Sequence, residues 1–152
     1  MTVERIFIVP SEGAAQRECE SVAVVAGAGI EGDRYFDRHD EPGRNISLVE
    51  AEELEAFMRE QGRPNDVSVS RRNLVTRGVR LNELVGQEFF IGEVRLRGVE
   101  LCEPCLGLGS ALASPELTAA AVVKRLVHRA GLRADVLSSG VIARGAKLAK
   151  SG

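Results

Sequence analysis

The side chains best suited to chemistry in this sequence are its thiols. Cys102-Glu103-Pro104-Cys105 sets two cysteines three positions apart, and Cys19 stands alone far upstream. A thiolate is a soft metal ligand and a nucleophile, and it needs positive charge or hydrogen-bond donors nearby to form at neutral pH. Three cysteines is an odd number, which argues against a disulfide framework, so the cysteines read as free thiols. The spacing has two familiar uses. A thioredoxin-type pair opens a helix whose dipole lowers the pKa of the first thiol. Here Leu106-Gly107-Leu108-Gly109 follows, which is poor helix material. A structural zinc site needs about four ligands in paired spacing. Beyond the pair there are only Cys19 and two isolated histidines, His39 in a charged loop and His128, read as complementing a helix dipole in its last turn.

Other chemistries find less support. Gly27-Ala28-Gly29-Ile30-Glu31-Gly32 matches G-x-G-x-x-G after an apolar strand. A dinucleotide site requires a helix to begin on those glycines, and residues 33–43 carry no apolar period and include Pro42 and Gly43. No nucleophile elbow, Walker loop or H-E-x-x-H is present, and the acidic residues are scattered or lie on one helix face. Most cationic side chains are Arg rather than Lys. Arg offers a rigid fork suited to phosphate and carboxylate, although a GC-rich genome would give the same bias.

The elements that must position these residues belong to one domain, 1–152, long enough for one real core. A net charge of -2 gives no pull toward nucleic acid or an anionic membrane. The apolar run in residues 1–9 is too short for a signal peptide or a membrane span, so a cytoplasmic location is expected, where thiols stay reduced. Strands are read at 4–9, 20–26, 44–48, 72–76, 89–91, 93–101, 134–138 and 140–143, with a long functional loop at 27–45. One helix follows Ser47 and Glu50, spaced as a capping box, with Ala51, Leu54, Phe57 and Met58 on its buried face and Gly62 as its stop. A helical turn is read at 81–85. A second helix is capped by Ser114 and ended by Gly131, burying Ala119, Ala120, Val123, Leu126, Val127 and Ala130. Along 93–101, Val94 and Leu96 face inward and Arg95 and Arg97 outward. Many short strands with two helices suggest a mainly β, mixed α+β fold, a closed barrel flanked by helices. A doubly wound sheet is the alternative.

Three segments together resemble a MOSC domain, the module named for the C-terminal part of molybdenum-cofactor sulfurases. The first is Gly29-Ile30-Glu31-Gly32-Asp33-Arg34-Tyr35, followed by Arg44-Asn45-Ile46-Ser47-Leu48. The second is Arg71-Arg72-Asn73-Leu74-Val75-Thr76-Arg77-Gly78, leading to the Cys-Glu-Pro-Cys segment. The third is His128-Arg129-Ala130-Gly131-Leu132-Arg133-Ala134-Asp135-Val136-Leu137, then Gly140-Val141-Ile142. The order and spacing cover nearly the whole chain. It departs from the family pattern at Gly145-Ala146, where Gly-Asp is usual.

The resemblance implies a barrel of the pyruvate-kinase type and makes the cysteine after Pro, here Cys105, the functional one. In reductase members that thiol coordinates molybdenum held by a pterin dithiolene (molybdopterin), and the metal reduces N-hydroxylated compounds. An older proposal makes the same thiol a persulfide carrier that delivers sulfur to metal–sulfur centres. A pyridoxal-phosphate association also follows the family, but nothing singles out a Schiff-base residue among Lys124, Lys147 and Lys150. A pterin phosphate would suit Arg forks and N–H donors, which makes Arg34, Arg44, Arg72 and Asn73 the anion-binding candidates. Cys102 reads as a thiol supporting the site from behind or, in preference, as simply buried, Cys19 as inert, and Arg80, Arg95 and Arg97 as solvated. No flavin, iron–sulfur or nicotinamide motif is present, so a reductase acting on a small-molecule substrate would need a separate electron-donor protein.

Overall fold

The computed structural model describes residues 1–38, 42–104 and 106–151. Its frame is an eight-stranded sheet built from β1 (Thr2–Ile8), β2 (Arg17–Cys19), β5 (Ile46–Glu50), β6 (Leu74–Arg77), β7 (Glu88–Ile91), β8 (Val94–Leu101), β9 (Leu132–Val136) and β11 (Leu148–Lys150). The order is β11-β7-β8-β9-β5-β6-β1-β2. A smaller sheet pairs β10 (Gly140–Ala143) with β3 (Ser21–Val25), and β3 with β4 (Gly29–Ile30). All pairings are antiparallel except β5 with β6, which are joined through the helix α1 (Ala51–Glu60), as a parallel crossover requires.

The fold is mainly β with few helices, and the large sheet is a curled half-barrel rather than the expected closed barrel. Its ladder ends on two edges, β11 and β2. The curl brings the start of β1 against the segment before β11, where Val3 N donates to Ala146 O (2.9 Å), Gly145 N to Val3 O (2.7 Å) and Leu148 N to Met1 O (2.9 Å). A single Thr2–Lys147 bridge marks this seam, and no continuous ladder crosses it among the described residues.

The inside of the curl holds the largest apolar cluster, with Ile6, Ile30, Leu48, Leu74, Phe89 and Leu96 among its members. Strand β5 is covered on both faces: Leu48 joins this cluster, while Val49 packs with Leu54, Phe7 and Val75 under α1. The buried stripe of α1 is Ala51, Leu54, Phe57 and Met58, as its periodicity indicates. Strand β8 alternates as read, with Val94 and Leu96 buried and Arg95 and Arg97 exposed. A 3-10 turn occupies Leu81–Leu84, and another spans Val67–Ser70.

The helix ends differ from the reading. The residue at the start of α1 is Glu50, with no side-chain cap, because Ser47 lies in β5 and its hydroxyl is engaged with Asn73. The last helix, α3 (Ala119–Leu126), is capped by Thr118, whose hydroxyl accepts Ala121 N–H. Ser114 is instead folded against Leu117 by two reciprocal backbone hydrogen bonds, which keeps 114–117 out of the helix. Its buried residues are Val122 and Leu126, while Ala120 and Val127 are exposed. The helix stops at Leu126 because Val127 is extended and His128 is left-handed.

A third helix, α2 (Leu106–Leu112), forms where helix was judged unfavourable. Gly109 is a packing requirement: a Cβ there would stand 2.5 Å from Ala119 O. Close crossing of α2 and α3 buries Leu108, Leu112, Val122 and Leu126 with Phe57 and Met58, and that tertiary gain outweighs intrinsic propensity. No helix begins on Gly27–Gly32; β4 and turns occupy that stretch. None of the described helices is long and apolar enough to cross a membrane.

Candidate functional site

Each of the three marked segments contributes a guanidinium to one place. In the first, the backbone turns at Gly32 (φ +88°), and the buried Asp33 carboxylate clamps the turn, accepting Val9 N–H (3.0 Å) and Tyr35 N–H (3.3 Å). Arg34 N–H donates to Val9 O (2.8 Å). The Gly-Asp-Arg run is thus a fastening that presents Arg34. Its guanidinium lies 4.7 Å from the centroid of the Tyr35 ring and 3.6 Å from Glu12, and that of Arg44 lies 5.6 Å from the same ring, both within cation–π range.

Arg44 enters just before β5, between two fixed neighbours. Gly43 N–H donates to the Asp135 carboxylate (2.7 Å), and the Asn45 side-chain oxygen accepts Val136 N–H (2.9 Å). In the second segment, Arg71 closes the 3-10 turn in a left-handed conformation (φ +59°), and its N–H donates to Ser68 O (3.2 Å). Arg72 is anchored through its own guanidinium: Nε donates to Ala130 O (2.9 Å) and Nη2 to Cys102 O (3.4 Å). Asn73 is buried and largely committed to the sheet. Its Oδ1 accepts from Ser47 N (3.0 Å) and Ser47 Oγ (3.2 Å), and its Nδ2 donates to Phe7 O (3.0 Å).

Arg34, Arg44, Arg71, Arg72 and Arg133 line one cavity of about 110 Å³, with Tyr35, Asn73 and Cys102 in its wall. No carboxylate lines it among the described residues. All four anion-binding candidates therefore meet at one cavity. The sequence reading did not select Arg71, Arg133 or Tyr35. The doubled Arg71-Arg72 was the available signal for the first. Arg133 lies in the third marked segment, but by strand alternation alone it reads as an ordinary solvated residue of β9.

The Cys-Glu-Pro-Cys segment is fastened to the third marked stretch. Cys102 is buried, and its N–H donates to Gly131 O (2.8 Å). It also lines the cavity, so it is both buried and beside the site, where the preferred reading had it simply buried. Glu103 pairs with His128, which lies beyond the end of α3 rather than in its last turn. Cys105, the expected metal ligand, lies outside the described residues, as does His39. Cys19 is half-buried against the main core. Arg80, Arg95 and Arg97 are exposed and paired with Glu50 or Glu88. None of the three lysines lines the cavity. Among the described residues no group of three or more His, Cys, Asp or Glu could hold a metal.

Comparison with known proteins gives this arrangement a family. The YuaD protein from Bacillus subtilis shares the fold with a TM-score of 0.84 at 20% identity, covering 97% of this chain and 93% of that one. YiiM from Geobacillus stearothermophilus superposes with a TM-score of 0.71 at 19% identity, covering 99% and 75%. YiiM from Escherichia coli gives 0.69 at 18% identity, covering 100% and 70%. At these identities the likeness is one of fold. No curated protein matches the chain. The MOSC domain model matches residues 36–149, from the turn beside Tyr35 into β11. The chain belongs to the MOSC domain family.

Proposed function

We propose that this protein binds a molybdenum cofactor at the arginine-lined cavity and reduces N-hydroxylated compounds. The observation that carries the reading is the gathering of five guanidinium groups, with Cys102, around a cavity that no carboxylate lines among the described residues. The donor set fits a phosphate-bearing group: guanidinium forks match phosphate oxygens in pairs, and a partly enclosed site strengthens the pairing. Arg34, Arg44, Arg72 and Arg133 would hold the anion. Cys105 would supply the thiolate to the metal, a soft ligand for a soft site. The cavity offers no lysine for a Schiff base, so pyridoxal phosphate finds no covalent anchor there.

When bound, the molybdenum centre would supply the two-electron chemistry that breaks an N–O bond. The balance is R–NH–OH plus two electrons and two protons to R–NH2 and water, with a separate protein as electron donor. The chain's own part is to hold charge in place. Arg72 ties Cys102 O to Ala130 O, so that the start of the thiol segment and the loop before β9 move as one. Asn73 locks β5 to β1 and β6, which fixes the strand ends from which Arg44 and Arg72 depart.

The test is metal analysis of protein made in a cofactor-competent host. Stoichiometric molybdenum that is lost in Cys105→Ser supports the reading. Metal retained in Cys105→Ser and lost in Cys102→Ser would reassign the ligand. Protein without metal, bearing a cyanide-labile sulfur on Cys105, would replace the reductase with a persulfide carrier.

A further inference from the structure

A second cavity shares the guanidinium wall and differs from the first in chemistry. It measures about 250 Å³ and lies between Arg34, Arg71 and Arg72 on one side and Val69, Leu108 and Ala111 on the other. Its apolar wall is formed by the 3-10 turn and by α2, the helix that follows Cys105 in sequence. An occupant that satisfies both walls has a compact apolar body and an anionic group. A free inorganic anion would leave the apolar wall unmatched, and a neutral apolar molecule would leave the guanidinium groups unpaired.

The three arginines are not equivalent. Arg34 stands beside Glu12 and Tyr35, and Arg72 commits Nε and Nη2 to the Ala130 and Cys102 carbonyls, leaving its other donors to the first cavity. The Arg71 guanidinium has neither a carboxylate nor a carbonyl partner among the described residues, although it borders both cavities and a small recess beside Asp33. Its backbone is left-handed, a conformation an L-residue adopts under strain, and such strain gathers where a side chain must be aimed.

We infer that the substrate carries a carboxylate or phosphate on a compact apolar body, and that Arg71 reads that anion from the α2-side cavity. This rests on the reductase reading for the identity of the reacting group, but recognition of the anion is a property of the chain itself. Arg71 is therefore a specificity residue, separate from the arginines assigned to the cofactor.

The experiment measures calorimetric binding of benzamidoxime and of its 4-carboxylate to the purified chain, with inorganic phosphate as a third probe. Arg71→Gly removes the fork and keeps the left-handed backbone, which glycine adopts freely. Arg71→Lys restores a charge without the fork. Ala111→Trp fills the apolar half from an exposed position. The carboxylate is expected to bind at least about tenfold tighter than the neutral probe, the scale of one charge-assisted pair. Arg71→Gly abolishes that preference, Arg71→Lys recovers part of it, and Ala111→Trp weakens both organic probes. Equal binding of the two probes, or a preference that survives Arg71→Gly, overturns the inference. So does phosphate binding as tightly as the carboxylated probe. Molybdenum content separates the two proposals: loss of metal in Arg71→Gly would reassign Arg71 to the cofactor, whereas wild-type protein without molybdenum would sink the reductase and leave the binding result standing.

Discussion

Glu103 and His128 are joined twice: one carboxylate oxygen accepts the His128 backbone N–H at 2.8 Å, and the other stands 2.9 Å from His128 Nδ1. His128 needs such support, because its backbone is left-handed (φ +63°) and its carbonyl is held from the other side by Asn82 Nδ2 at 2.9 Å. With Cys102 N–H on Gly131 O, this pairing makes the residues leading to Cys105 and the loop after α3 one unit. Both side chains are well exposed, so Glu103→Ala is expected to lower global stability by about 1 kcal/mol or less. Its clear effect is local: hydrogen exchange at the Cys102 and His128 amides accelerates while that of the β8 interior is unchanged. Unchanged exchange at both amides would contradict the role given to Glu103.

Gly131, just before β9, lies against β5 with no room for a side chain. A Cβ there would stand 2.1 Å from Leu48 O, and the backbone has φ +119°. Gly131→Ala must therefore push β9 from β5 and is expected to lose about 3 kcal/mol or more, or to leave the protein insoluble. Gly92→Ala is the control. It has positive φ but open space around it, and should lose only about 1–2 kcal/mol in the same urea titration.

Asp33→Asn keeps the shape of the clamp and removes one of its two acceptors, setting an amide N–H against a backbone N–H. A loss of about 1–3 kcal/mol is expected by denaturation. Phosphate affinity should fall along with it, because Arg34 is presented by that turn. Full phosphate affinity in a destabilised variant would separate the clamp from the site.

Burial pushes the Glu50 carboxyl above its usual range, against the Leu81 N–H bond and the field of Arg80, which pull it down. A raised value favours the protonated form in the folded state. Its stabilising effect is fully present below the ordinary carboxylate pKa and is lost as pH rises through the raised one. Glu50→Gln, a neutral acceptor for Leu81 N–H, should remove this dependence. The wild type then loses ground to the variant in urea midpoints as pH rises above the ordinary carboxylate range. The opposite slope would mean that the hydrogen bond outweighs burial.

Local pattern made much of this legible. The alternation of β8, the stripe of α1 and the arginine-marked segments each follow from residue spacing, and Arg34, Arg44, Arg72 and Asn73 do meet at one cavity. What spacing could not show depends on contacts between distant segments. Gly109 of α2 reads as a helix breaker until Ala119 is seen to need the room. Ser47 resembles a cap until Asn73 claims its hydroxyl. Arg71 and Arg133 gain their meaning only when the 3-10 turn and β9 face each other across the cavity. The half-barrel likewise depends on how far the sheet curls, which no single strand encodes.

The seam between Met1–Val3 and residues 145–148 has a consequence for how the fold closes. Ile6–Ile8 of β1 are paired by β2, close by in sequence, whereas the Val3 backbone finds partners in the distant Gly145 and Ala146. Until that distant segment docks, Val3 leaves its N–H and C=O groups open beside an apolar side chain, a template for pairing with another chain. A contact between segments so far apart in sequence forms slowly, so this part of the sheet stays longest exposed to a wrong partner.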